Sequence, residues 1–172
     1  PLDVQVQPPQ LVRVDDALVR GLQKANPKLI VSYTLSAEPS GLNAPSVELL
    51  ANAKKNGVRV DVVNGMFMDY NGVNGQSVIQ CAKATKAQVD KLGLGSKIGC
   101  CVMIGVNDSG GTFSLTDAKT VTAFAKSTPW VRWLSFWSMS RDNGSCAGRS
   151  SAADSCSGIA QAKYAFCAAM QI

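Results

Sequence analysis

The sequence contains no histidine, which removes Ser-His-Asp and Cys-His catalysis together with every zinc site that needs an imidazole. Chemistry in this chain has to run on carboxylates. Its six cysteines include no C-x-x-C spacing, so neither a zinc ribbon nor a thioredoxin-type site is supported, and no metal or cofactor is expected. Glycine-rich phosphate loops are also missing. Gln7-Pro8-Pro9-Gln10 offers no glycine and few free N–H groups, and Gly110-Gly111 stands without a G-x-G-x-x-G or G-K-[ST] pattern around it, which disfavours a nucleotide-binding fold. Lys54-Lys55 is the only basic pair, and no Lys/Arg stripe interleaved with aromatics accompanies the formal charge of +5, so nucleic acid is not an expected partner. Apolar runs fall well short of the ~20 residues of a membrane helix, and no basic amphipathic segment points to a membrane surface.

What is present fits one soluble globular domain: 172 residues, 46% hydrophobic and 17% charged, enough to bury a sizeable core. Six cysteines in a chain of this size fit an oxidising compartment and therefore secretion. Cys146 and Cys156 bracket a Gly/Ser/Ala-rich loop and form the favoured disulfide, with Cys81 to Cys100 or Cys101 as the weaker pairing. The chain opens at Pro1 with no methionine and no visible signal peptide, as expected of a processed product or a fragment.

Along the chain, strand and helix patterns alternate. Residues 2–6 alternate apolar and polar side chains, Pro8-Pro9 breaks the pattern, and 14–25 carries apolar residues at helical spacing. Strands are expected over 29–35, 58–66, 97–106 and 130–137, and helices over 46–55, 76–92, 116–126 and 158–170. Asn56-Gly57 should form a left-handed cap and Thr116 should start its helix. The order is that of about five parallel βα units in a single α/β domain.

Two expected strands end in the same manner. Val62-Val63-Asn64-Gly65-Met66-Phe67-Met68 runs into Asp69-Tyr70-Asn71-Gly72, and Val131-Arg132-Trp133-Leu134-Ser135-Phe136-Trp137 runs into Ser138-Met139-Ser140-Arg141-Asp142. Buried parallel strands read as continuous apolar runs, and binding groups gather where they end, so the two exits should share a pocket. Trp133 should share a strand face with Trp137, Trp130 should lie far from the site, and Arg141 and Asp142 are candidates to pair with each other.

Met66-Phe67-Met68-Asp69-Tyr70, Val102-Met103-Ile104-Gly105-Val106-Asn107-Asp108 and Leu134-Ser135-Phe136-Trp137-Ser138 resemble the sixth, seventh and eighth strands of family 18 glycoside hydrolases, the bacterial-type chitinases. Ser32-Tyr33-Thr34-Leu35 with Pro39-Ser40-Gly41-Leu42 resembles the fifth unit, so the resemblance covers nearly the whole chain. It implies part of a TIM (β/α)₈ barrel, from the fourth strand onward. The ligand it implies is chitin or chito-oligosaccharide, the β-1,4-linked N-acetylglucosamine polymer. In this family the sugar's own acetamido oxygen attacks the anomeric carbon, one glutamic acid protonates the leaving oxygen, and an aspartate orients the acetamido group.

Aligned with the family's D-x-x-D-x-D-x-E motif, Leu2-Asp3-Val4-Gln5-Val6-Gln7 puts Asp3 at the second acid, Gln5 at the third and Gln7 at the catalytic glutamate. The proton donor is then an amide, which departs from the family. Asp69 matches the aspartate that contacts the bound sugar, Met66 the pocket for the acetamido methyl, and Trp137 the aromatic floor. Met68 stands where many members carry a tyrosine, leaving Tyr33 or Tyr70 to supply that contact, and Asn107 and Asp108 could bond sugar hydroxyls. An open partial barrel exposes apolar surface and strand edges, so truncation, a homodimer or a complementing chain is expected. An active secreted chitinase and a non-catalytic assembly partner are the alternative functions.

Overall fold

The computed structural model describes residues 15–172. The expected strand over 2–6, and with it Asp3, Gln5 and Gln7, lies outside the described residues. Helix α1 (Asp16–Ala25) starts where the Asp15 carboxylate accepts the Ala17 and Leu18 N–H groups. Strand β1 (Ser32–Glu38) turns back through the short antiparallel β2 (Gly41–Leu42), which the sequence pattern did not predict. Helix α2 (Ala44–Lys55) ends as expected at Gly57, whose φ of +76° lets Val58 N–H reach back to Ala53 O. Strand β3 (Val62–Met66) then leads to α3 (Gly75–Lys91), whose Asn74 and Ser77 form a reciprocal cap.

Strand β4 (Lys97–Met103) is shorter than the expected 97–106, because the chain kinks at Gly105 (φ +73°) into a hairpin of β5 (Gly105–Val106) and β6 (Thr112–Phe113). Helix α4 (Leu115–Lys126) is capped by Ser114 rather than Thr116, because Asp117 reaches back to Ser114 N–H from the third helical position. After β7 (Val131–Trp137), the expected helix over 158–170 shrinks to α5 (Ala165–Ala169). Tyr164 before it sits at φ +64°, outside helical space, and Asp142 accepts the N–H groups of Phe166 and Cys167 at its start.

The sheet runs β2-β1-β3-β4-β7, with β1, β3, β4 and β7 parallel. Four parallel strands therefore stand among the described residues where about five were expected. One face packs on the helices: Val63, Phe67, Ile98, Cys100 and Val102 bury completely there against Leu50, Val78, Val89 and Val121. Burial of each such side chain stabilises by roughly 1.5–3 kcal/mol. On β1 the other face carries Ser32, Thr34, Ser36 and Glu38, all exposed. No helix among the described residues is long and apolar enough to cross a membrane.

Cys146 and Cys156 form the expected disulfide across 10 residues of chain. The weaker pairing is absent: Cys81, Cys100 and Cys101 are free thiols, with Cys100 on the helix face and Cys101 on the opposite one, as strand alternation dictates. Loop-closure entropy assigns a bridge of this span roughly 2–3 kcal/mol. Reduction should therefore lower the unfolding free energy by that amount and bring the urea midpoint down with it, and an unchanged midpoint in dithiothreitol would show that the loop contributes nothing.

Candidate functional site

Register determines which strand residues meet on the open face of the sheet. Thr34, Asn64 and Gly99 stand side by side across β1, β3 and β4, with Trp133 beside Gly99 on β7. Asn64 Oδ1 accepts the Trp133 indole N–H at 3.1 Å, and its Nδ2 donates to Thr34 Oγ1 at 3.3 Å. The indole crosses β4 over Gly99, where any Cβ would overlap both Trp133 and Asn64. One layer nearer the carboxyl end come Ser36, Met66, Cys101 and Ser135, and beyond them Met103 pairs with Trp137. Trp133 and Trp137 thus share a face, while Trp130 packs edge-on to Phe124 at 5.6 Å on the helix side.

At that carboxyl end, Trp137 is 49% exposed and Met66 and Met68 are half-buried. The Trp137–Ser138 peptide bond is cis. Asp69 follows at φ +60°, a left-handed conformation that aspartate tolerates better than most residues. Its backbone N–H donates to Asn107 Oδ1 at 3.2 Å, and its Oδ1 accepts Asp108 N–H at 2.9 Å. Partial burial pushes the Asp69 carboxyl above its ordinary pKa, against the opposing pull of Asp108 and Ser109 N–H groups and the Arg141 guanidinium.

Tyr33 and Tyr70 turn the other way. Tyr33 neighbours Val63 and is 6% exposed in the helix-side core, where burial first, and Asp16 second, push its phenol up to about 12. The Tyr70 hydroxyl is 3.0 Å from Ser77 Oγ and accepts from the Cys81 thiol, and burial raises its pKa. Neither phenol lies on the face that carries Met66 and Trp137. Asn107 is fully buried, its Nδ2 bonded to Met103 O and Gly105 O, so it shapes the turn and leaves Asp108 at the surface.

Arg141 and Asp142 do not pair with each other. Arg141, 1% exposed, donates to the carbonyls of Ile104, Val106 and Ala153, while Asp142 caps α5 and accepts from Gln161. Sequence reasoning missed Asn64 and Thr34. The visible signal was Asn64 itself, a polar residue two positions before Met66 inside an apolar run and therefore on the same strand face.

The chain as a whole is similar to known proteins. No family model matches the chain. It is 30% identical over 134 residues to the probable bifunctional chitinase/lysozyme of Escherichia coli (strain K12), covering 66% of this chain and 15% of that protein. It is 29% identical over 139 residues to endochitinase 11 of Metarhizium anisopliae, of which it spans 26%. Among solved structures, the catalytic domain of the hyperthermophilic chitinase from Pyrococcus furiosus superposes with a TM-score of 0.81 at 28% identity, over 90% of this chain and 54% of that one. Catalytic-site mutants of active domain 2 of the Pyrococcus furiosus thermostable chitinase, solved complexed with chito-oligosaccharides, match equally, at 27% identity.

Proposed function

We propose that this chain, homologous over most of its length to the catalytic domains of chitinases, binds chains of β-1,4-linked N-acetylglucosamine at the carboxyl end of its sheet and turns them over poorly. One observation carries the proposal: Trp137, half exposed, stands on the same sheet face as Met66 and Met103, and the tethered carboxylate of Asp69 follows β3 at the same end of the sheet. An indole face suits the C–H face of a pyranose, a methionine wall suits an acetamido methyl, and a carboxylate accepts hydroxyl or amide protons. Asp108, exposed next to Asp69, offers a second acceptor. The four parallel strands fit part of a (β/α)₈ barrel, with the remaining strands supplied by further chain or by a second polypeptide.

Turnover is weak in this reading because the position aligned with the family's proton donor is Gln7 and the orienting position is Gln5. An amide has no acidic proton to deliver to the leaving oxygen. The Cys146–Cys156 bridge supports a secreted location. Isothermal titration calorimetry with chitotriose tests the binding: a saturable heat is expected, and its absence at millimolar sugar leaves an assembly role in place of a sugar site.

A further inference from the structure

Two buried side chains divide the carbonyls at the exit of β4 between them. Asn107 Nδ2 takes Met103 O at 2.9 Å and Gly105 O at 3.0 Å, and Arg141 takes Ile104 O at 2.9 Å and Val106 O at 2.6 Å. Four successive carbonyls are therefore claimed alternately from either side of the chain. The same guanidinium donates to Ala153 O, inside the loop closed by the Cys146–Cys156 disulfide. Its Nε is buried with no partner among the described residues. At 1% exposure, the guanidinium costs stability unless it is well bonded.

Its consequence lies one residue further on. Val106 leads directly into Asn107 and Asp108, whose Oδ1 and N–H hold the backbone and the carboxylate of Asp69. We propose that Arg141 is a positioning residue for Asp69: by fixing the carbonyls of Ile104 and Val106 it sets the turn that presents the carboxylate to the sugar. The proposal rests on the binding reading above for the identity of the ligand. The charged groups whose fields reach the guanidinium are Asp108 from the β5–β6 turn, Asp154 from the disulfide loop and Asp69 from the exit of β3. The Arg141 charge in turn favours the ionised form of Asp69, against the burial that opposes it.

Two measurements test this. In the ligand-free parent protein, the guanidinium N–H resonances of Arg141 should shift with pH as Asp69 ionises, and Asp69→Asn should remove that titration. An unchanged titration in Asp69→Asn overturns the proposal, and this arm needs neither a sugar nor an Arg141 variant that folds. In the second arm, Arg141→Lys keeps a cation but loses the planar fork, and chitotriose affinity should fall roughly tenfold with the acid limb of binding in place. Arg141→Met removes the charge, so Asp69 should protonate more readily and the acid limb should move to higher pH. A purely structural arginine would lower thermal stability in both variants without moving the limb, and that result also overturns the proposal. Failure of the parent to bind chitotriose rejects the binding reading alone, because the resonance titration still decides the role of Arg141.

Discussion

Gln7→Glu is expected to raise hydrolysis of a fluorogenic chitobioside by about 10²- to 10⁴-fold over the parent chain, the range that a positioned general acid contributes. In the substrate-assisted scheme the acetamido oxygen supplies the nucleophile, so the protein's indispensable gift is the proton for the departing oxygen. A glutamine of nearly the same shape occupies the aligned position, and the change restores chemistry without adding bulk. The gain should be larger when Gln5→Asp is combined with it, because the acetamido group must be oriented before it can attack and the two effects meet in one transition state. Chitotriose affinity should stay near that of the parent, since Met66, Asp69 and Trp137 are retained. If the double variant binds sugar as before yet remains as slow as the parent, the alignment of residues 2–7 with the family's acid motif is wrong. Parent activity already at the level of ordinary chitinases would show that another carboxylate delivers the proton.

Trp137→Ala is expected to weaken chitotriose binding by about 2 kcal/mol, or roughly thirtyfold, the scale of a tryptophan anchor in a recognition site. The indole is 49% exposed, so half of its surface is free to meet a ligand. For the same reason its loss should cost less than about 1 kcal/mol in unfolding free energy. Tyr70→Phe gives the converse. The hydroxyl faces Ser77 and Cys81 in the core, so its removal should lower stability by about 1 kcal/mol and leave affinity unchanged. Calorimetric titration and urea unfolding on both variants separate the two effects. A Trp137→Ala protein that binds as tightly as the parent moves the sugar away from the end of β7, and an affinity loss in Tyr70→Phe reinstates the phenol as a contact.

The alternation of helix and parallel strand is dictated by local pattern, because apolar runs bounded by Asn26-Pro27, Asn56-Gly57 and Thr128-Pro129 leave few other ways to bury those residues. The same holds for the Cys146–Cys156 bridge, which is local. Gly57 could be identified as a cap because a left-handed turn after a helix favours the residue without a Cβ. The clustering of Met66, Asp69 and Trp137 at one end of the sheet likewise follows from strand direction, since parallel strands place all their exits together.

Which face each strand residue takes depends on the packing of the folded domain. Tyr33 and Thr34 are adjacent and both suit a β-strand, and strand period alone fixes that they point oppositely without fixing which one meets the helices. That parity is set by the pairing of Tyr33 with Val63 and by the packing of α1 and α2 on their side of the sheet. It was also the fold that sent Arg141 to the carbonyls of Ile104, Val106 and Ala153 and Asp142 to the start of α5. Adjacent opposite charges pair readily in a solvated loop, but a buried guanidinium must satisfy several donors at once. Backbone oxygens brought in from the exit of β4, from β5 and from the disulfide loop supply more acceptors than one neighbouring carboxylate can.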